Sequence, residues 1–522
     1  MAMDGDNARL HDLEVKDLSL REKVGQVLML GFAGTEPEGA VEAVCDLKAG
    51  GIIYFARNTG SVAETAALSR TLQEMAATSG NLPLLISADQ EGGPVARLDR
   101  GLPLMPGAMS LGAAGDPDLA FRVARGTGTQ LRAAGINVNL APVLDVNDNP
   151  ANPVIGVRSF GSDPALVETL GTAAVRGFML AGIAPVGKHF PGHGNTSVDS
   201  HFGLPVLPHP LERLAEVELR PFKSAVRAGL PAIMTAHIVF SAIDPERPAT
   251  LSEPVLEGLL RRDMGFQGVI MTDCMEMRAI ADDPGTAKGA VLALKAGADM
   301  VLISHTPALQ REAYEMICEA VKRGEIPLSR LDGAVRRVLA LKKALRVPNP
   351  LPPEAADTEE LRRLSEAAHL RSITVLKSER LPLRAGPDSR FVILSPYPAT
   401  SLGEALGRGG AQVVYQTYGE PANDVTAGPA GPTAQTGLEG TVIALTENAW
   451  KNPKHAEYIR RVLHEKPETI VVATRDPYDF RVFPEARSFI CTYSRRAEAL
   501  RALAHVLTGA AQASGRLPVT LQ

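Results

Sequence analysis

GVIMTDCMEMRAIADDPGTAKGAVLALKAGADMVLI, residues 268–303, is the stretch on which the fold turns. Gly268-Val269-Ile270-Met271-Thr272 is a short apolar run. A polar turn cluster follows, then an Ala/Leu/Lys segment with helical spacing, and then a second apolar run, Met300-Val301-Leu302-Ile303. Two short runs that can be buried on both faces, joined by a helix, read as a β-α-β unit in a parallel sheet. The same alternation recurs upstream, with runs at 27–31, 51–55, 82–87, 136–141, 184–188 and 232–236. Eight strands is the number that closes a parallel barrel. The expected fold is α/β with a TIM-like (β/α)8 barrel, and a doubly wound open sheet is the alternative, because alternation alone does not close a barrel.

Downstream, Arg346-Val347-Pro348-Asn349-Pro350-Leu351-Pro352-Pro353 cannot continue the preceding helical segment, because proline lacks an amide donor and clashes with the previous turn. The expected layout is a catalytic barrel over 1–345, a Pro-rich linker and connecting helix over 346–372, and a smaller α/β sandwich domain over 373–522. The strands of that second domain are predicted at 373–376, 391–394, 413–415, 442–445, 470–473 and 488–491. The Gly/Pro/Ala/Thr-rich segment 419–437 reads as a surface loop.

Of the 522 residues, 45% are apolar and 22% charged, as in an ordinary soluble domain with a sizeable core. A formal charge of -5 and the absence of a dense Lys/Arg run exclude a nucleic-acid partner. No 18-residue apolar stretch offers a membrane span. The acidic, polar start favours the cytoplasm, although Met1-Ala2-Met3-Asp4-Gly5 leaves open an export signal that once preceded it. Cys45, Cys274, Cys318 and Cys491 lie far apart and read as reduced, mostly buried thiols. A small molecule is the expected partner, with a monomer or homodimer as the assembly.

In such a barrel, function sits beyond the C-terminal ends of the strands. The third strand ends in Ser87-Ala88-Asp89-Gln90-Glu91-Gly92-Gly93 with Arg97 nearby, and the fourth runs through Asp145 toward Arg158. The fifth delivers Lys188 and His189 and then a loop with His193, Asp199 and His201. The sixth ends at His237 and the seventh at Asp273. One Asp after a strand is an ordinary helix cap. Repeated Asp, Arg, Lys and His at one rim are not explained by capping, because caps need no cations. Gly182 to Lys188 nearly matches a phosphate loop but puts His189 where a hydroxyl should hold magnesium, and Gly126-Thr127-Gly128 lacks the third glycine of a dinucleotide site. Zinc is a rival reading, yet Pro191-Gly192 prevents His189 and His193 from sharing a helical face. Acid, base and nucleophile chemistry by side chains alone remains. Asp273, at the end of a buried strand, suits a rigid nucleophile, and Asp199 two residues before His201 suits a carboxylate that raises and orients an imidazole acid.

The stretch Lys188-His189-Phe190-Pro191-Gly192-His193-Gly194-Asn195-Thr196-Ser197-Val198-Asp199-Ser200-His201 resembles the signature of bacterial β-N-acetylglucosaminidases in family three of the glycoside hydrolases. Thr272-Asp273, Asp89 to Gly93 with Arg97, residues 152–161 and Thr235-Ala236-His237 resemble further motifs of that family. The resemblance implies a retaining exo-β-N-acetylglucosaminidase without metal or cofactor. It implies Asp273 as nucleophile and His201 as acid/base oriented by Asp199, with Asp89, Arg97, Arg158, Lys188 and His189 binding the sugar. It also implies muropeptide or chitooligosaccharide fragments as substrates, with phosphate in place of water as an alternative acceptor. Should His201 not donate the proton, Glu91 and His237 stand next. Asn195 replaces the usual Asp of the signature, and Cys274 replaces a second Asp after the nucleophile.

Overall fold

The computed structural model describes residues 10, 12–200, 202–418 and 438–521. Among the described residues ten strands belong to the first half: β1 (Leu28–Leu30), β2 (Gly51–Tyr54), β3 (Leu85–Ala88), β4 (Val138–Asn139), β5 (Ala184–Phe190), β6 (Val206–Leu207), β7 (Ala232–Thr235), β8 (Val239–Phe240), β9 (Val269–Cys274) and β10 (Met300–Ile303). Eight of them close into a barrel in the order β1-β10-β9-β7-β5-β4-β3-β2, every pair parallel. The open-sheet alternative is thereby excluded. β6 and β8 form a separate two-stranded sheet beyond the barrel rim.

The lumen is packed rather than hollow. Met29, Ile53, Leu85, Val138, Ala184, Val186, Ala232, Met234, Val269, Met271, Met300 and Leu302 form one buried cluster, sealed at one end by Val338, Leu341 and Val347. The residues between them on each strand, such as Ile52, Ile86, Ile233, Ile270 and Val301, belong to a second cluster with the surrounding helices. Most of the strands are therefore apolar on both faces, which is why their runs read as continuous rather than alternating, while β4 carries Asn139 on its second face.

A second sheet holds β11 (Thr374–Ser378), β12 (Arg390–Ser395), β13 (Gln412–Thr417), β14 (Thr441–Thr446), β15 (Ile470–Ala473) and β16 (Ser488–Cys491), in the order β11-β16-β15-β14-β12-β13. Only the β11–β16 pair is antiparallel. Apolar clusters lie on both sides of this sheet, so it is the middle layer of an α/β sandwich. The helix Glu359–Ser372 leads into it, with Ser365 Oγ donating to the Leu104 carbonyl of the barrel. The segment 419–437, expected to be a loop, lies outside the described residues. Cys318 and Cys491 are buried, while Cys45 and Cys274 are only half-buried, so the expectation of mostly buried thiols holds for two of the four. No helix among the described residues is long and apolar enough to cross a membrane.

Candidate active site

Side chains alternate along a strand, so the lumen register leads to the polar residues at the C-terminal ends, where β5 and β9 each carry a register shift. Val269 and Met271 point inward, and the next residue in that register is Asp273. Ala184 and Val186 point inward, and Lys188 follows. Leu85 and Ser87 lead in the same way to Asp89, and Ile53 leads to Phe55. These four side chains line one cavity of about 350 Å³ at the mouth of the barrel, together with Glu91, Arg97, Arg158, His189, His193, Ser200, Glu276 and His305.

The loop after β3 is pinned before it is charged. Asn139 exchanges two hydrogen bonds with the Gln90 backbone, donating from Nδ2 to O at 3.0 Å and accepting at Oδ1 from N at 3.0 Å. The Gln90 amide accepts from the Arg97 and Leu98 NH groups and donates to the Leu98 carbonyl. Asp89 and Arg97 are thus set side by side. Lys188 Nζ, 2% exposed, lies 2.7 Å from both Asp89 Oδ1 and Glu91 Oε1, and Arg158 donates to both oxygens of Glu91 at 2.8 and 2.9 Å. Arg97 Nη2 reaches Asp89 Oδ2 at 3.2 Å. Burial works to raise the Glu91 pKa, but Arg158 and Lys188 outweigh it and hold the carboxyl at about 2. Burial likewise opposes, and Lys188, Arg97 and Arg158 override, so Asp89 also sits below its ordinary value. Both carboxylates are thus held as anions by the cations beside them, and both Glu91 oxygens are taken up by Arg158 and Lys188.

Asp145, fully buried, gathers the next wall. Its Oδ1 accepts from the backbone NH groups of His189 (3.1 Å) and His193 (2.7 Å), and Oδ2 lies 2.7 Å from His189 Nδ1. His189 and His193 are therefore brought together, ring centroids 5.7 Å apart, by a strand and loop rather than by a helical face. Burial, with the nearby His189, lowers His193 to about 4, so it is a neutral linker between Thr196 Oγ1 (2.9 Å) and Ser200 Oγ (3.0 Å). The loop passes so close to the fourth strand's extension that a Cβ on Gly194 would lie 1.8 Å from the Val146 oxygen. Asn195 donates to Asp148 Oδ1 at 2.7 Å, while its Oδ1 lies 2.9 Å from His209 Nε2, and Arg213 pairs with the other Asp148 oxygen. An Asp at 195 would instead face Asp148 with a second carboxylate.

Asp273 opens into the cavity from the end of β9. Burial acts to raise its pKa, yet His189, His237 and the Cys274 NH prevail, and it lies below the usual carboxylate range. The Cys274 NH donates to its Oδ1 at 2.7 Å. Burial pushes the Cys274 thiol up to about 11, leaving a neutral group behind Asp273. Glu276 is committed elsewhere, its Oε2 accepting from the Ser304 (2.7 Å) and His305 (2.6 Å) NH groups. His237 is held between Thr250 Oγ1 (2.8 Å) and the Cys274 carbonyl (3.0 Å). Asp199 is half-buried on the loop, its carbonyl accepting from the Phe202 and Gly203 NH groups. His201 lies outside the described residues. The sequence reading quotes Asp145 and Ser200 without giving either a role, includes Phe55 only as the end of a strand, and does not name His305. No three His, Cys, Asp or Glu side chains among the described residues are gathered as a metal centre.

Residues 19–341 match the pattern of the Glycosyl hydrolase family 3 N terminal domain. The chain belongs to glycosyl hydrolase family 3. It is 31% identical to β-hexosaminidase A of Pseudoalteromonas piscicida, with 97% of each chain covered. Among solved structures, the family 3 β-N-acetylglucosaminidase of Paenibacillus sp. str. FPU-7 superposes with a TM-score of 0.88 at 42% identity, covering 97% of this chain and 99% of that one. The β-glucoside phosphorylase BglX shares the fold at 22% identity, with a TM-score of 0.81 over all of this chain and 96% of the other.

Proposed function

We propose that the chain is a retaining exo-β-N-acetylglucosaminidase that releases terminal β-linked N-acetylglucosamine from muropeptide or chitooligosaccharide fragments. Residues 1–345 carry the chemistry, 346–372 connect and 373–522 form the second domain. The observation that carries the reading is that Asp273 lines one cavity with a compact set of charged and hydrogen-bonding groups, Asp89, Arg97, Arg158, Lys188 and His189. Carboxylates and cations held by one another present fixed acceptors and donors to the hydroxyls of a sugar. Arg97 Nε is buried with no hydrogen-bond partner among the described residues, a donor left over for a ligand. The related β-hexosaminidase and β-N-acetylglucosaminidase support the same substrate class.

Asp273, ionised at neutral pH, attacks the anomeric carbon while His201, oriented by Asp199, protonates the departing oxygen. A covalent glycosyl-enzyme forms on Asp273. The now neutral His201 then takes a proton from water, which displaces the carboxylate and returns the sugar with its original configuration. An imidazole takes the place of one carboxylate of the usual pair and adds no negative charge near the incoming acceptor.

The test is turnover of an aryl β-N-acetylglucosaminide against the matching aryl β-glucoside, with and without inorganic phosphate. Preference for the N-acetyl sugar and free N-acetylglucosamine as product in both buffers support the reading. Sugar 1-phosphate as the main product in phosphate would assign a phosphorylase, and preference for the glucoside would overturn the substrate class.

A further inference from the structure

The residue that places Arg158 is not in the barrel. Arg158 closes a short 3-10 turn, Gly156–Arg158, whose NH groups can be accounted for one by one. Asn152 Oδ1 accepts from Val154 (2.9 Å) and Ile155 (2.7 Å), Asn147 Oδ1 from Gly156 (3.2 Å), and the Ile155 carbonyl from Arg158 (2.9 Å). The Val157 NH, immediately before Arg158, donates to Asp476 Oδ1 at 3.0 Å, a side chain 319 positions away in the second domain.

Three further observations tie the turn to that domain. Gly156, at φ +46°, leaves an opening that the Asp476 carboxylate occupies: a Cβ on Gly156 would stand 2.5 Å from Oδ1. The buried Val157 side chain joins the apolar cluster of the second domain, with Val392, Val442 and Tyr478, instead of the barrel core. Asn147, which holds the Gly156 NH, donates in turn to the Tyr478 hydroxyl at 3.1 Å. Asp476 is itself only 3% exposed, and its own NH donates to Asn448 Oδ1 at 3.3 Å.

We propose that Asp476 is a positioning residue for catalysis: through the Val157 NH it fixes the turn that aims Arg158 at Glu91, His189 and the sugar. The inference rests on the assignment of Arg158 to sugar binding. On this account the second domain is a working part of the active site without touching substrate, because one face of the Arg158 turn is built from it. Arg158 Nη2 lies 3.5 Å from His189 Nε2 while its fork is spread over Glu91, so a small displacement of the turn misaligns a guanidinium with little room to adjust.

The experiment is a double-mutant cycle in the full chain, read as kcat/KM on a fluorogenic aryl β-N-acetylglucosaminide that keeps slow variants measurable. Asp476→Ala is expected to lower kcat/KM about 10- to 100-fold, from an orphaned buried NH and a displaced turn. Asp476→Asn, which keeps the Oδ1 acceptor, is expected within about threefold of the parent. In the Arg158→Ala background, Asp476→Ala should cost less than about threefold, because the group it serves is already gone. Equal losses in both backgrounds, equal losses for Asn and Ala, or no loss for Ala overturn the proposal. Full activity of Arg158→Ala alone would overturn the sugar-binding assignment, which is a different failure. If Asp476→Ala does not fold, Tyr478→Phe deletes only the hydroxyl that holds Asn147. It should then cost about three- to tenfold with Arg158 present and nothing without it, and any other pattern counts against the account.

Discussion

Replacing Asp145 by Asn tests how the wall opposite Asp273 is held. Asp145 Oδ1 accepts two backbone NH groups, and Oδ2 pairs with His189 Nδ1 at 2.7 Å. Asn keeps the first acceptor but turns an NH2 group toward Nδ1. His189 can answer only by carrying its proton on Nε2, where Arg158 Nη2, a donor, stands 3.5 Å away. A hydrogen bond to a charged group contributes about 1.5–3 kcal/mol, and about 1.4 kcal/mol is tenfold in rate. The expected loss in kcat/KM is therefore about 10- to 100-fold on an aryl β-N-acetylglucosaminide. Asp145→Ala also orphans the His189 and His193 NH groups, at about 1–3 kcal/mol each, so its melting temperature should fall well below that of the Asn variant. An Asn variant within twofold of the parent, or Asn and Ala variants equally stable, would refute the role given to this carboxylate.

His201→Gly should hurt substrates with poor leaving groups most, because an activated aryl group needs little protonation, and Asp199→Ala should add little to it; a leaving-group series on the single and double variants measures both. Equal loss across all leaving groups would give His201 a binding role instead. Glu91 has its pKa lowered from 4.5 to about 2, so its ion pairs contribute fully above about pH 4.5 and are lost as pH falls toward 2. That displacement corresponds to about 3 kcal/mol, and Glu91→Gln should flatten the acid side of a stability-versus-pH curve between those limits; an unchanged curve would count against the network. Activity should survive prolonged dialysis against a chelator, and stoichiometric zinc lost in step with activity would reassign the chemistry.

The barrel was legible because most of its strands are apolar on both faces and are followed by a turn cluster. Strand ends were less so. The third strand, expected from residue 82, begins at Leu85: Pro83 has no NH for a ladder, and the Leu84 NH is taken by Gln73 Oε1. The fourth, expected over 136–141, shortens to Val138–Asn139, while the fifth runs two residues longer, to Phe190, whose carbonyl accepts from Ala236. Site residues at strand ends, such as Asp89, Lys188 and Asp273, could be read from position because the lumen register carries them to the mouth. Asp145 and Asp476 could not. Their roles consist of backbone NH groups brought to them by distant segments, and nothing in local composition records such a partner. The one available signal was a carboxylate inside an apolar run, Val143-Leu144-Asp145-Val146, which must be satisfied when buried.

In the proposed mechanism Asp273 forms the bond to the sugar. Glu276, three residues on, is the competing carboxylate in the same cavity, but its Oε2 accepts from both the Ser304 and His305 NH groups, whereas Asp273 accepts from the Cys274 NH and has a depressed pKa. Treatment with a 5-fluoro derivative of N-acetylglucosaminyl fluoride, which slows breakdown of the covalent intermediate, followed by proteolysis and fragmentation of the labelled peptide, locates the attachment to one residue. The account expects the sugar on Asp273, with no label on Asp273→Asn; attachment to Glu276, or undiminished labelling of the Asn variant, would contradict it.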